Sequence, residues 1–277
     1  MTLSTEAKRA QFRRLHEAGC FVIPNPWDIG SARALQSMGF KALASTSSGF
    51  AWTIGKADNH ITLEDALTHL TALSAATDLP VNADFEGGFA HEPEAVARNV
   101  TRAVATGISG LSIENTTGDA AKPLYDDVLA VERIRAARAA IDSTKSGVVL
   151  VARDESFLIG HTDLSKTIDR LHAFAEAGAD CLYAPAITDR ALVSALVGAL
   201  APKPVNVLMP KPGLSVAELA DLGVRRISVG GALARAAWGG FLKAAREIAE
   251  KGSFAELGHA ASGAELNKLF SEGAKAR

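Results

Sequence analysis

Residues 79–96 read LPVNADFEGGFAHEPEAV, and this stretch opens one repeating unit of the fold. A strand-like run over 80–84 leads to two carboxylates, two glycines and the start of a helical pattern spanning 92–106. Side chains of an extended chain repeat every second residue, so Asp84 and Glu86 are expected on one side. Gly87 and Gly88 imply a sharp bend or a close backbone approach. Two like charges at a strand end are unfavourable unless a cation or a chemical task compensates.

The same unit recurs along the chain. Strands are expected at 20–25, 41–46, 80–84, 108–114, 147–153, 179–184, 204–209 and 225–229. Helical patterns alternate with them at 29–38, 62–77, 92–106, 127–142, 163–177, 188–200, 215–222 and 231–250. Several helices end in a glycine suited to a C-cap, as in SMGF, EAGAD and DLGVRR. Strands with few polar residues, each followed by a helix, imply a parallel sheet covered on its outer side. Eight repeats favour an α/β fold of the (β/α)8 barrel type over a doubly wound open sheet. The open-sheet alternative lacks its phosphate loop, because 24–30 read PNPWDIG rather than G-x-G-x-x-G. Residues 1–277 are expected to form one barrel domain, with 1–19 a charged amphipathic helix and 252–277 one or two further helices outside the barrel.

Composition narrows the function. The chain has 277 residues, 48% of them hydrophobic, and a net charge of −2, which suits one large core and argues against nucleic acid or an anionic membrane surface as partner. No apolar run approaches the roughly 18 residues of a membrane span, and the N-terminus is not a signal peptide, so the cytoplasm is expected. Cys20 and Cys181 lie in apolar runs and read as small core residues. The seven histidines show no zinc spacing. No strand end carries a lysine for a Schiff-base aldolase, Lys211 in MPKPG being the nearest exception.

In a barrel, functional residues gather at the C-terminal ends of the strands. Here those ends carry Asn25, Trp27 and Asp28; the run Ser45-Thr46-Ser47-Ser48-Gly49; Asp84 and Glu86; Glu114; and Arg153 with Glu155 beyond. Asp84, Glu86 and Glu114 suit a hard divalent cation that keeps several waters; the alternative is that they cap helices or pair with lysines. The serine-rich turn can bind a carboxylate or phosphate, or be an ordinary polar turn. Arg153 needs an anion, either a permanent one such as Glu155 or Glu114 or a substrate carboxylate. Asp58 is a loop carboxylate with no role evident from spacing.

These pieces, NPWDIGSARALQSMGFKALASTSSGFAW, PVNADFEGGFA, GLSIEN, VARDE, GADCLYAP, PVNVLMP and GVRRISVGGALARAA, resemble the isocitrate lyase/phosphoenolpyruvate mutase superfamily in order, from about residue 20 to 240. The family's D-x-D-x-G-Y-G strand end falls on Asp84, Glu86, Gly88, Phe89 and Ala90. The resemblance implies Mg²⁺, with Mn²⁺ as a substitute, on Asp84, with Glu86 and Glu114 holding its waters. It implies a substrate carboxylate on Ser47, Ser48 and Gly49, with Trp27, Thr46 and Asn206 nearby, and Arg153 at the other end of a 2-oxo acid. Asp58 matches a family aspartate near the scissile bond, which joins Arg153 and Glu114 as catalytic candidates.

Two departures shape the reading. The lyases carry a K-[KR]-C-G-H loop after the fourth strand, where 115–127 here read NTTGDAAKPLYDD without a cysteine. The K-x-N-S pattern of the mutases is missing too. A Mg²⁺-dependent lyase acting on a small 2-oxo or 2-hydroxy acid through an enolate is therefore expected, most like an oxaloacetate decarboxylase. The alternatives are a C–P bond enzyme of the phosphonopyruvate type and a barrel that binds a 2-oxo acid without turnover. The stripe Leu233, Ala237, Phe241, Ala244 and Ile248, with Trp238 beside it, predicts that 231–277 lie in the interface of a homodimer or homotetramer.

Overall fold

The computed structural model describes residues 3–275. Helix α1 (Thr5–Glu17) precedes β1 (Phe21–Ile23), α2 (Ile29–Ser37), β2 (Leu43–Ala44) and α3 (Ser47–Thr53). The chain continues through α4 (Leu63–Ala76), β3 (Val81–Asp84), α5 (Pro93–Ala105), β4 (Gly110–Glu114), α6 (Asp127–Ser143) and β5 (Val149–Arg153). Next come α7 (Leu164–Glu176), β6 (Cys181–Tyr183), α8 (Arg190–Leu200), β7 (Val205–Leu208), α9 (Val216–Asp221) and β8 (Arg226–Ser228). After α10 (Ala232–Lys251), a 3-10 turn (Ala255–His259) leads to α11 (Gly263–Lys275).

All eight strands fall within the expected ranges. They form one parallel sheet in the order β1-β8-β7-β6-β5-β4-β3-β2, a nearly closed (β/α)8 barrel. At the β1–β2 seam the Ala44 N–H donates to the Pro24 carbonyl at 3.1 Å. Asn25 stitches the same seam to β8. Its amide donates to the Ser45 carbonyl at 3.0 Å, and its oxygen accepts from the Val229 and Gly230 N–H groups at 2.9 and 2.8 Å.

Alternation divides the strand residues into two sets. The outward set, including Ala83, Leu111, Ile113, Leu150, Ala152, Leu182, Val205 and Ile227, packs beneath the helices as the main core. The inward set, including Phe21, Ile23, Ala44, Val149, Val151, Cys181 and Tyr183, fills the lumen around Phe12 of α1. Phe12 is fully buried and closes the N-terminal end. A Cβ on Gly110 would come within 2.5 Å of the Phe12 ring, so β4 needs a glycine there for the plug to seat.

One element is not the expected turn. Residues 45–49 pass directly from β2 into α3, because Thr46 is extended and its hydroxyl accepts the Gly49 N–H as an N-cap. In the tail, α11 packs on α2 of the same chain, with Phe270 near Gly30. Helix α10 contrasts with it: of its 20 residues only Ala234 is buried. Among the described residues no helix is long and apolar enough to cross a membrane.

Candidate active site

At the C-terminal end of the barrel lies a cavity of about 720 Å³, lined by Ser47, Asp58, Glu86, Glu114, Arg153 and Glu155 with residues of two loops. Strand register explains the pairing at its floor. Glu114 and Arg153 are partners across β4 and β5, and Asp84 lies one strand further on β3. The Arg153 Nη1 contacts Asp84 Oδ1 at 2.8 Å and Glu114 Oε2 at 3.1 Å, while its Nε donates to Glu155 Oε1 at 2.9 Å. The guanidinium also lies 5.1 Å from the centre of the Tyr183 ring. Burial opposes its charge, but Glu155, Glu114 and Asp84 outweigh burial and raise its pKa.

Asp84 is fully engaged. Its Oδ2 accepts both the N–H and the hydroxyl of Ser47 at 2.9 Å, and its own N–H donates to the Ser45 hydroxyl. Glu114 accepts from the Thr116 hydroxyl at 2.6 Å. Glu86 differs: its Oε1 is buried without a hydrogen-bond partner. Burial, then the charges of Asp84, Glu114 and Asp58, push the Glu86 carboxyl up to about 8. Burial and Asp84 also raise Asp58, and burial raises Glu155 against the pull of Arg153.

The route of Glu86 to the cavity is not the expected one. The strand ends at Asp84 and Glu86 adopts a left-handed φ of 47°, followed by Gly88 at 76° and Phe89 at 55°. A turn rather than strand alternation brings both acids to the mouth. Both glycine expectations are met. Gly88 takes the positive φ, and Gly87 is the close approach, since a Cβ there would lie 3.3 Å from the Arg133 guanidinium and 3.4 Å from the Thr116 carbonyl.

Arg133 of α6 was not singled out by sequence. Its guanidinium, almost fully buried, donates to the carbonyls of Gly87, Ala90 and His91. It also stacks 4.0 Å from the centre of the Tyr125 ring. The loop over 115–125 folds back on itself as a bridge between Thr116 and Leu124, reinforced by Thr117 N–H to Pro123 and Tyr125 N–H to Asn115. Its residues Thr116, Thr117, Gly118, Asp119, Pro123 and Tyr125 roof the cavity. Buried Asp154 braces the wall by accepting from Asn115, Ser156 and Arg170, while the Asn115 oxygen receives the Glu155 N–H.

The remaining expected substrate residues lie elsewhere. Trp27 faces a surface groove with Thr53, Ala237, Trp238 and Phe241. Thr46 caps α3, the Ser48 hydroxyl points towards Gly231, and Gly49 is buried where a Cβ would meet Thr46 Cγ2 at 2.6 Å. Asn206 sits lower in the lumen, bonded to Ser228 and Arg226. No group of three His, Cys, Asp or Glu among the described residues is arranged to hold a metal ion. The unpartnered Glu86 oxygen beside two further acids nevertheless fits a cation held through its waters, the usual habit of Mg²⁺.

A (β/α)8 barrel with an acidic mouth, one arginine at its centre and a loop after β4 as its roof belongs to the phosphoenolpyruvate mutase/isocitrate lyase superfamily. Within it, the chain belongs to the family described as phosphoenolpyruvate phosphomutase, whose model matches residues 12–249. An uncharacterised protein of Mycobacterium tuberculosis is 36% identical over 79% of this chain and 81% of its own length. The oxaloacetate decarboxylase of Pseudomonas aeruginosa is 30% identical over 78% of this chain and 77% of its own. A crystal structure of a Burkholderia cenocepacia protein described as a candidate lyase/mutase shares 47% identity and a TM-score of 0.93, covering 96% of this chain and 97% of that one.

Proposed function

We propose that this chain is a divalent-cation-dependent lyase that breaks a C–C bond of a small 2-oxo acid, with oxaloacetate as the leading substrate. The observation that carries the reading is Glu86, a half-buried side chain whose Oε1 is buried without a partner beside Asp84 and Glu114. The identity to the decarboxylase of P. aeruginosa supports the choice of acid. Asp84, Glu86 and Glu114 would hold Mg²⁺ or Mn²⁺, chiefly through water. A cation bound there supplies a Lewis acid that polarises the 2-oxo group and favours the enolate left by bond cleavage.

The chain's own residues do the rest. Arg153, anchored to Glu155 through Nε, would offer its Nη groups to the substrate carboxylate. Ser47 fixes Asp84 through two hydrogen bonds. Asp58, exposed at the rim with a raised pKa, flanks the bond that breaks. The roof loop shields one side of the enolate from water.

C–P chemistry is the second reading, favoured by the family's own description. Against it, Arg153 is the one arginine or lysine among the described residues lining the cavity, a weak site for a phosphonate dianion. Assays with Mg²⁺ separate the readings: we expect pyruvate from oxaloacetate and no phosphate from phosphonopyruvate. Phosphate release would transfer the proposal to C–P cleavage. Mg²⁺-dependent oxalate binding without turnover of any acid would make the protein a binding barrel.

Assembly follows from α10, which exposes Leu233, Phe241, Leu242 and Ile248. We propose that this face packs on a second copy, giving a homodimer or homotetramer. Light scattering should return two or four times the chain mass of 28.9 kDa; a monomer at micromolar concentration would exclude it.

A further inference from the structure

Cleavage of a 2-oxo acid leaves an enolate whose C3 must receive a proton, and the family's lid cysteine is absent from 115–127. The same loop instead presents Tyr125 to the cavity, and the loop after β3 presents His91 to it. The Tyr125 hydroxyl lies 2.6 Å from His91 Nδ1. Arg133 fixes both partners at once, stacking on the Tyr125 ring and binding the His91 carbonyl. A phenol–imidazole pair held so closely at the roof is more than loop packing requires, because either group alone could face solvent.

We propose that Tyr125 is the catalytic acid that protonates C3 of the enolate, with His91 as the positioning residue that orients its hydroxyl and reprotonates it. The proposal rests on the lyase reading above. When the C–C bond breaks, its electron pair enters the enolate. The Tyr125 O–H bond then breaks as a C–H bond forms at C3, giving pyruvate when the substrate is oxaloacetate. The phenolate recovers a proton from the His91 ring, which takes one from water through the open side of the cavity. Burial, with a smaller contribution from Glu92 and against the pull of Arg133, raises the Tyr125 pKa and keeps the phenol protonated between turnovers.

The reverse of this step can be followed alone. In D2O with Mg²⁺, the wild-type protein should exchange the methyl protons of pyruvate for deuterium, read by proton NMR. Tyr125→Phe keeps the ring on Arg133 and should lower exchange by at least about 100-fold, the scale of general acid catalysis. Release of CO2 from oxaloacetate should fall by no more than about 10-fold, since the enol can be protonated in solution. His91→Gln should slow exchange by about 10-fold, and thermal melting of each variant reports folding separately. Exchange by Tyr125→Phe at the wild-type rate overturns the proposal and leaves the lyase reading intact. If Tyr125→Phe is unfolded, wild-type exchange by folded His91→Gln overturns it instead. A wild-type protein that neither exchanges pyruvate nor releases CO2 overturns oxaloacetate as the substrate and this assignment with it.

Discussion

Two arginines sit in the barrel lumen, one towards each end, in opposite surroundings. Arg226, near the Phe12 plug, donates to the amide oxygens of Asn206 at 2.8 Å and Asn82 at 3.3 Å. Burial lowers its pKa, and burial first, with the Arg226 charge second, holds neighbouring His16 down at about 3. Arg153, at the mouth, is gripped by three carboxylates that raise its pKa. The lower arginine fills space and satisfies fixed amides. The upper one sits in an excess of negative charge, which its single cation cannot balance. The lower charge rests on neutral amides, whereas the upper one faces a surplus of acids, the imbalance on which the proposed cation site rests.

The largest test of that contrast is Asp84→Asn, which keeps the acceptor for Ser47 but removes a charge. Cation-dependent turnover should fall about 1,000-fold, since Lewis-acid stabilisation is worth several kcal/mol, with the melting temperature little changed. Turnover at the wild-type rate would remove the cation from the mouth.

Arg153→Lys comes next. It keeps the charge but loses the planar fork, so KM for a 2-oxo acid should rise roughly 10- to 100-fold. Arg226→Met sharpens the comparison, because it should leave KM unchanged and reduce stability by about 2 kcal/mol through the orphaned Asn206 and Asn82 oxygens. Urea titration and initial rates on both variants suffice. A KM effect from Arg226→Met would mean that the two ends are coupled.

The smallest effect concerns pH. The folded-state pKa of Glu86, about 8, lies above its ordinary value of 4.5. Its protonated form therefore adds stability that is complete below pH 4.5 and is lost as pH rises through 8. Without divalent cation, melting temperature should decline between pH 5 and 8.5, and Glu86→Gln should flatten part of that decline. Glu155, also raised, leaves a residual slope. A slope identical in the variant would mean that Glu86 is ionised throughout.

Pattern carried the fold a long way because a barrel repeats one local rule. Short apolar runs alternating with amphipathic ones located every strand and the eight helices that follow them. Helix α3 escaped, since Ser, Thr and Gly are poor helix formers and only the Thr46 cap and its packing against Trp27 and Ala234 make the turn helical. The acids were legible because they sit at strand ends or one turn beyond, where topology alone converges them.

What sequence by itself determined, then, is the barrel, the family and the polar residues at its mouth, since each depends on neighbours within a few positions. Only the tertiary structure decided which of those residues share a cavity. It turned Trp27 outward, set Asn206 beneath the site, and closed Arg153 in a ring of three carboxylates. It also recruited Arg133, whose partners Gly87, Ala90 and His91 stand more than 40 positions away, and brought His91 to Tyr125 across 34 residues of chain. The physical reason is range: strand and helix periodicities act over a few residues, whereas ion pairs and stacked rings act wherever folding brings side chains within a few ångströms.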